Sequence, residues 1–329
     1  MSTGPVVPVL RLGARTSPLA RAQVDLVAAL LAERGVGSTF VGVTTRGDVD
    51  RRNLTEIGGT GVFAGAVRDA LRNGEIDVAV HSLKDLPTAD DPDLHVIAVP
   101  GREDTRDVLV GLGLAALDGG VRIGTGAPRR ALQLQDWALR QGRRIEVVPV
   151  RGNVDTRLGL VRSGAVDAVV LAAAGLRRLG YLVEDTGGLG VHVQGIPAEV
   201  LELQTMLPAP GQGALALEVV RDLDPRLADH VRGLDDRAAH AEALVERGFL
   251  ARLEAGCTAP VGARAVVKSV RGTSHDLTLT AVIGRTLLSN LAAPADGGPP
   301  LRLEVAGTSE NPADFGARHA DGVLAKLQS

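Results

Sequence analysis

Three segments of this chain occur twice in the same order, and this repetition is the strongest constraint on its fold. The repeated pairs are RLGARTSP (11–18) with RIGTGAP (122–128), TRGDVD (45–50) with VRGNVD (150–155), and LRNGEIDVAV (71–80) with VRSGAVDAVV (161–170). A single match of this length arises easily by chance, whereas three in the same order indicate a duplicated structural unit. We therefore predict two similar domains.

Each repeat alternates short apolar runs with amphipathic stretches. Strands are predicted at 9–13, 40–44, 76–80, 121–124, 145–150 and 166–171, and helices at 19–33, 129–140 and 156–163. Strands that alternate with helices are typical of parallel sheets with helices on both faces. The predicted fold class is α/β, with two doubly wound lobes.

The pattern changes near residue 236. A long helix is predicted at 237–253, β-rich runs at 263–270, 277–283 and 301–305, and a final helix at 312–327. This order predicts a smaller α+β C-terminal domain with an antiparallel sheet. We place domain 1 at 1–102 with 203–222, domain 2 at 103–202 and domain 3 at 223–329.

Composition excludes several classes of function. The formal net charge is −3 and aromatic residues are 2% of the chain, so neither a basic patch nor stacking platforms favour nucleic-acid binding. One cysteine cannot form an internal disulfide, which fits the reducing cytoplasm. We find no signal peptide, no apolar run long enough to span a membrane, and no His/Cys pattern for a metal. We expect a cytoplasmic protein that binds no nucleic acid, membrane or metal.

Arginines follow most of the predicted strands. In open α/β sheets, ligands bind beyond the carboxyl ends of the strands, and guanidinium groups pair with carboxylate or phosphate there. Taken singly, each arginine can equally be a solvated surface charge, but the set predicts a ligand with several anionic groups. The arginines at these positions are Arg15, Arg129, Arg130, Arg151, Arg157, Arg177 and Arg178.

Lys84 and Asp85 directly follow the third predicted strand. A carboxylate at such a position can stabilise a developing cation or move a proton. The alternative is a structural ion pair at a strand end. For His81 we favour a structural, hydrogen-bonded role.

Cys257, the only cysteine, lies between Gly256 and Thr258 on a predicted turn. A lone cysteine is usually buried and inert. The adjacent glycine and nearby Pro260 favour an exposed loop, where a thiolate can act as a nucleophile. Both interpretations stay open on these residues alone.

Eight motifs together resemble the porphobilinogen deaminase family, and they occur in the family's order. They are RTSPLA (15–20), TRGD (45–48), HSLKDLP (81–87), RRALQL (129–134), RGNVDTRL (151–158), AAAGLRRLG (172–180), PAPGQGA (208–214) and LEAGCTAP (253–260). Each motif is weak by itself, whereas the ordered set is highly specific.

The resemblance implies two lobes similar to type II periplasmic binding proteins, with a third domain that carries a cofactor. It implies a transferase of tetrapyrrole (haem) biosynthesis that condenses four porphobilinogen molecules, each losing ammonia. Condensation takes place on a dipyrromethane cofactor bound by a thioether to Cys257. Hydrolysis then releases the linear product, hydroxymethylbilane. We expect porphobilinogen as the partner and a monomer.

The resemblance also implies roles for particular residues. Asp85 and Lys84 match catalytic positions, and Gly59, Gly61 and Phe63 match a lid. The cofactor-binding positions match Ser82, Lys84, Asp85, Thr125, Arg129, Arg130 and Gly175, and the substrate-binding positions match Arg15, Ser17, Arg151, Arg157 and Arg178.

This chain departs from the family pattern at a few of these places. Many members have serine where this chain has Ala127, so one hydroxyl contact to the cofactor is missing here. Lid lysines of some relatives are replaced by Glu56 and Thr60, and Ala255 stands where the family has the first glycine before the cysteine.

Two other functions fit part of the sequence. A two-lobed protein that binds or senses an anionic solute explains the duplicated lobes and the arginines, but not Cys257 or the third domain. A transferase that uses Cys257 as a transient nucleophile explains the cysteine. The mass of the intact protein distinguishes them, because a stable adduct of two pyrrole units is expected only for the deaminase.

Overall fold

The computed structural model describes residues 9–44, 62–184, 190–255, 259–285 and 299–328. The chain divides into two compact units, residues 1–102 with 214–240 and residues 103–213 with 241–329. No helix in the described ranges is long and apolar enough to cross a membrane.

A five-stranded sheet forms the centre of the first unit, in the order β2-β1-β3-β12-β4. Its first three strands are parallel, and β12 runs antiparallel to both of its neighbours. The mixed sheet therefore keeps a parallel half, whose carboxyl ends lie at one edge. The strands are β1 (Val9–Arg15), β2 (Gly37–Val43), β3 (Val78–Ser82), β4 (Leu94–Ala98) and β12 (Leu215–Val220).

Helices cover both faces of this sheet. Helices α1 (Pro18–Ala32) and α6 (Pro225–Arg232) contribute Val27 and Val231 to the core around Leu12. Helix α2 (Val62–Arg72) packs through Leu71 in a second cluster that contains Ala79. Neighbouring residues of a strand point to opposite faces, so Ala79 and Val80 belong to different clusters. The predicted doubly wound arrangement is confirmed for this sheet.

The second unit contains a seven-stranded sheet in the order β7-β6-β8-β5-β11-β10-β9. Strand β6 is parallel to β7 and β8, while β5, β9, β10 and β11 pair antiparallel. The strands are β5 (Asp107–Val110), β6 (Val121–Gly124), β7 (Ile145–Val148), β8 (Ala168–Ala172), β9 (Leu182–Glu184), β10 (Val191–Val193) and β11 (Ile196–Val200).

Helices also cover both faces of the seven-stranded sheet. Helix α3 (Pro128–Arg140) packs through Leu134 on one face. Helices α4 (Val154–Arg162) and α5 (Ala173–Arg178) pack through Leu158 and Leu176 on the other. All three side chains are fully buried.

The third sheet belongs to the second unit and is wholly antiparallel, in the order β13-β14-β15. Helices α7 (Arg237–Arg252) and α8 (Pro312–Gln328) contribute Phe249 and Phe315 to its core. The predicted small α+β region with an antiparallel sheet is confirmed. Its strands are β13 (Val261–Arg271), β14 (Ser274–Ile283) and β15 (Leu301–Ser309).

The duplication is visible in the hydrogen bonds of the two α/β sheets. In the first sheet, the backbone amide of Arg11 donates to the Asp77 carboxylate at 2.8 Å, and the Asp77 amide donates to the Arg11 carbonyl oxygen at 2.9 Å. Arg122 and Asp167 form the same pair of bonds at 2.8 and 2.9 Å in the second sheet. Two of the three repeated segments therefore occupy equivalent positions. The segment at 45–50 lies outside the described residues.

Two features differ from the sequence predictions. Both α/β sheets contain antiparallel strands that we did not predict, because strand direction depends on pairing between distant segments. Helix α6, which we assigned to domain 3, packs into the core of the first sheet. The division into three domains stays a prediction.

Candidate functional site

Arg15 and Ser17 lie at the carboxyl end of β1. Arg15 is the last residue of the strand and is half-buried. Ser17 is the N-cap of α1, where its hydroxyl accepts a hydrogen bond from the Ala20 amide at 3.3 Å, and Pro18 begins the helix. A capping serine before proline is a favourable helix start, so local sequence holds Ser17 at the sheet edge.

Lys84 and Asp85 belong to a single 3-10 turn, Leu83–Asp85, at the end of β3. The buried Leu83 anchors the turn, whereas Asp85 is exposed. The Asp85 carboxylate forms no hydrogen bond or ion pair with another residue in the described ranges. It is thus available to a ligand.

Ser82 connects this turn to α1. Its hydroxyl accepts a hydrogen bond from Nε2 of Gln23 at 2.8 Å, and Gln23 is only 4% exposed. The bond fixes the end of β3 immediately before Lys84 and Asp85.

A buried ion cluster lies behind the same turn. Arg68 donates two hydrogen bonds to the Glu218 carboxylate, at 3.0 and 2.7 Å, and Nε2 of His81 lies 3.2 Å from the same group. Burial would raise the pKa of Glu218, but His81 and Arg68 outweigh it and lower this pKa to about 2. The structural role that we favoured for His81 agrees with this position. Glu218 and Arg68 were not predicted.

In the second unit, Thr125 follows β6 and is buried. Its hydroxyl accepts a hydrogen bond from the Ala127 amide at 3.2 Å. Ala127 occupies the N-cap position of α3 and supplies no side-chain acceptor there. The N-terminus of α3 consequently keeps its positive end without a capping oxygen.

Arg129 and Arg130 lie in the first turn of α3, and both are buried. They share one carboxylate, that of Asp107 on β5, with Nη2 of Arg129 at 2.8 Å and Nη2 of Arg130 at 2.7 Å. Asp107 is fully buried, and burial would raise its pKa, but the two arginines and Gln212 hold this pKa far below the usual value.

This buried cluster carries more positive than negative charge. Two guanidinium groups face one carboxylate, and the buried Nε of Arg130 has no hydrogen-bond partner in the described part of the chain. Since buried charge is stabilised only by an opposite charge, the Arg129–Arg130 pair is suited to an additional anion.

Arg178 is the last residue of α5, and its positive charge too is buried without a salt bridge to a described carboxylate. It donates through Nη2 to the carbonyl oxygen of Gly213 at 2.7 Å, and it pairs with no carboxylate of the described residues. Burial lowers the pKa of Arg178 to about 10, although Glu103 opposes the shift. A bound carboxylate would relieve this unfavourable burial.

Arg151, Arg157 and Gly175 are placed by the segments around α4 and α5. Arg151 is exposed between β7 and α4, while Arg157 lies in α4 and donates from Nε to the Gly152 carbonyl oxygen at 2.9 Å. Gly175 lies within α5, half-buried, and its carbonyl oxygen accepts from the Leu179 amide at 3.2 Å.

Several predicted site residues cannot be placed. Cys257, Gly59 and Gly61 lie outside the described residues, as do Glu56 and Thr60. Phe63 is the second residue of α2.

Sequence reasoning also missed two residues of the second unit, Asp107 and Gln212. Gln212 is part of the PAPGQGA motif, which was recognised without any role for its side chain. Nε2 of Gln212 lies 2.9 Å from Asp107. No signal in the sequence joins them, because 105 residues separate the two.

Comparison with known proteins gives consistent matches over the chain. A family model described as "Porphobilinogen deaminase, dipyromethane cofactor binding domain" matches residues 10–228, and one described as "Porphobilinogen deaminase, C-terminal domain" matches residues 240–288. Porphobilinogen deaminase 1 of Streptomyces coelicolor is 49% identical over 294 residues, which cover 88% of each chain. Porphobilinogen deaminase of Leifsonia xyli subsp. xyli is 48% identical over 320 residues, covering 95% of this chain and 87% of that protein. Among solved structures, the methionine binding protein MetQ matches with a TM-score of 0.40 and 10% identity, covering 73% of this chain and 94% of that one.

Proposed function

This chain belongs to the porphobilinogen deaminase family, and we propose that it condenses four porphobilinogen molecules in turn on a covalent dipyrromethane cofactor. The reaction is one of tetrapyrrole biosynthesis. The proposed product is hydroxymethylbilane, released by hydrolysis.

The excess of buried guanidinium charge is the observation that carries this proposal. Arg129 and Arg130 share a single carboxylate, and Arg178 has none among the described residues. Each porphobilinogen unit carries an acetate and a propionate group, so a growing chain of these units is a polyanion. Guanidinium groups bind carboxylates in fork geometry, and each such contact is strong when desolvated.

The residues present fit a cofactor that bears carboxylates. In the second unit the candidate donors are guanidinium groups, a hydroxyl and the positive end of α3, all of which favour anions. We propose that the cofactor is held by Ser82, Lys84, Asp85, Thr125, Arg129, Arg130 and Gly175, with its thioether at Cys257. When bound, the cofactor supplies the terminal pyrrole carbon at which the chain is extended.

Asp85 is the proposed catalytic carboxylate, and Lys84 is its neighbour in the same turn. Asp85 is exposed and has no partner of its own within the described ranges. As ammonia leaves the substrate, positive charge develops on the substrate's pyrrole and methylene group. A carboxylate beside this charge stabilises it, and the same oxygen can receive a proton.

Each addition balances as a substitution. The carbon–nitrogen bond of the substrate's aminomethyl group breaks, and the bound cofactor would supply the pyrrole α-carbon to which the new carbon–carbon bond forms. The proton lost from that carbon would leave with the amine, so each addition would release one molecule of ammonia. The cofactor, which Thr125, Arg129 and Arg130 would hold, would supply the anchored pyrrole from which water would release the hydroxymethyl product.

Arg15, Ser17, Arg151, Arg157 and Arg178 are proposed to bind the incoming substrate and the growing chain. The burial of Arg178 supports this assignment best, because Glu103 offsets the cost of burying its charge only in part. Gly59, Gly61 and Phe63 remain the proposed lid.

We also propose that the protein acts as a monomer in the cytoplasm, without nucleic acid or membrane as a partner. The single cysteine supports a reducing compartment, because an oxidising one would endanger a thiol needed for attachment.

The mass of the intact protein tests the proposed function. The purified chain should be heavier than its amino acids by two linked pyrrole units, and it should turn pink in Ehrlich's aldehyde reagent. Incubation with porphobilinogen should increase this mass further, in steps of one pyrrole unit. A native protein with an unmodified mass and a free thiol after exposure to porphobilinogen would exclude the deaminase reaction.

A further inference from the structure

The segment 209–213, here called the 209–213 loop, contacts Asp107, the carboxylate shared by Arg129 and Arg130. Its central side chain, Gln212, is 1% exposed. Nε2 of Gln212 donates to the Thr105 carbonyl oxygen at 2.7 Å and to Oδ1 of Asp107 at 2.9 Å. The carboxamide thus joins a backbone oxygen to a buried carboxylate.

Asp107 in turn determines where two guanidinium groups lie. Its Oδ1 also accepts from Arg130, and its Oδ2 faces Arg129. Rotation of the carboxylate about its last side-chain bond would disturb both contacts. Because Gln212 is held by Thr105, its hydrogen bond to Oδ1 opposes this rotation.

The backbone on either side of Gln212 is itself fixed. The Gly211 amide donates to the fully buried Glu246 carboxylate at 2.6 Å, and the same carboxylate accepts from the Ala265 amide at 2.8 Å. Gly213 has φ = +85°, and a Cβ there would collide with the Glu103 carbonyl oxygen, so only glycine fits this position. The hydrogen bond from the Gly211 amide to Glu246 holds the backbone on the other side of Gln212.

We propose that Gln212 is a positioning residue, which holds the Asp107 carboxylate so that Arg129 and Arg130 present their guanidinium groups to the anionic cofactor. Gln212 acts through Asp107, to which its carboxamide donates directly. This assignment rests on the proposed function, since it gives the arginine pair a carboxylate-bearing ligand.

A purely structural role for Gln212 predicts a different result from the positioning role. If Gln212 contributes stability only, its substitution changes cofactor uptake solely through the loss of stability. The change in uptake should then be the same whether residue 107 is Asp or Asn. A positioning glutamine loses its effect on uptake once Asp107 can no longer hold the arginines. A double-mutant cycle measures this difference directly.

The test uses protein purified without cofactor from cells that make no porphobilinogen. Each variant is incubated with porphobilinogen, or with the linear tetrapyrrole product, and adduct formation is followed by intact mass. The variants are Gln212→Met, Asp107→Asn and the double variant. Thermal unfolding of each protein is recorded in parallel.

Asp136→Asn is the control. Asp136 is a buried carboxylate of α3 that pairs with Arg302 at 3.1 Å and with Arg140. Its substitution weakens buried ion pairs, and neither of these partners belongs to the group of Asp107, Arg129 and Arg130. We expect it to lower the thermal midpoint while the rate of adduct formation stays near that of wild type.

Gln212→Met should slow adduct formation by about tenfold in the wild-type background, which is the usual scale for loss of a group that orients a ligand-binding side chain. In the Asp107→Asn background the same substitution should have little further effect. Equal slowing in both backgrounds, or Gln212→Met and Asp136→Asn behaving alike, would overturn the positioning role. If wild type itself forms no adduct, the proposed function fails and the role of Gln212 falls with it.

Discussion

Arg178 donates a hydrogen bond from Nη2 to the carbonyl oxygen of Gly213 at 2.7 Å, yet its charge is paired with no carboxylate of the described residues. Gly213 also accepts from the Glu103 amide at 3.2 Å, so its carbonyl keeps a partner without the arginine. Glu103 offsets the cost of burying this charge only in part, and we propose that an anionic ligand supplies the rest.

This relationship predicts opposite effects on stability and on substrate binding. Arg178→Met should leave the free energy of unfolding of the cofactor-free protein unchanged or raise it by about 1 kcal/mol, because a poorly paired buried cation is removed. The KM for porphobilinogen should rise by about tenfold, the loss of one charge-assisted contact. Urea denaturation and steady-state kinetics measure the two quantities.

Arg177→Met is the matched control for that prediction. Arg177 is adjacent in sequence but pairs with Glu184 at 2.5 Å and approaches Asp104 at 3.7 Å. Arg177→Met removes these ion pairs, so it should lower the free energy of unfolding and leave the KM for porphobilinogen near that of wild type. A lower stability of Arg178→Met with unchanged KM would assign Arg178 to the fold instead.

Asp85→Asn should preserve the fold and the covalent adduct but lower turnover by about 10²–10⁴-fold, the usual contribution of a general acid or base. Asn keeps the shape of the side chain and removes the charge that stabilises a developing cation. Intact mass checks the adduct, and ammonia release checks turnover. Asp90→Asn, at an exposed carboxylate of the same segment, should retain full activity. Normal turnover in Asp85→Asn would remove Asp85 from the mechanism.

Cys257→Ala should purify without the two-pyrrole adduct, since the chain contains no other thiol. Cys257→Ser should behave in the same way, because a serine hydroxyl is a much weaker nucleophile than a thiolate. Intact mass after incubation with porphobilinogen is the measurement. An adduct on either variant would show that another residue is the anchor.

Glu218 should make the first unit sensitive to acid. Its pKa in the folded protein is about 2, below the value of about 4.3 expected in the unfolded chain. Its contribution, on the order of 3 kcal/mol, is thus fully present above the unfolded pKa and is lost as pH falls from about 4.3 towards 2. The difference in unfolding free energy between wild type and Glu218→Gln should shrink over that range in urea titrations.

The control for Glu218 is an exposed carboxylate without an ion pair in the described ranges, Glu310. Glu310→Gln should follow wild type at every pH. If the difference between wild type and Glu218→Gln stays constant from pH 6 to 3, the assigned cause of the shift is wrong.

Local patterns predicted the parallel strands well. In β3 and β8 the buried residues 78–80 and 168–171 form short continuous apolar runs, which are typical of strands covered on both faces. Strands β4, β5, β9, β10, β11 and β12 were not predicted. For β5 and β12 the reason is that their sheet neighbours are distant in sequence. For β12 the partner residues are 79–82 and 94–98, more than a hundred positions earlier.

The candidate site was predicted unevenly for a similar reason. Asp85, Arg129 and Arg130 follow strands or begin helices, and Arg178 ends the short helix after β8, so the rule for open α/β sheets selected them as candidates. Their buried partners could not be found in this way. Asp107 pairs with arginines 22 and 23 residues further along, and no local periodicity connects a strand residue with the first turn of a later helix.

The sequence by itself determined the duplicated α/β units, the α+β region after them, the family and the residues that are candidates for chemistry. Those properties follow from short-range periodicity and from ordered motifs, which are written along the chain. Only the tertiary structure decided which charges are compensated, namely that Asp107 pairs with two arginines while Arg178 forms no salt bridge with a described carboxylate and is opposed only by the nearby Glu103. The physical reason is that burial and ion pairing depend on contacts between distant segments, and these exist only once the sheets have formed.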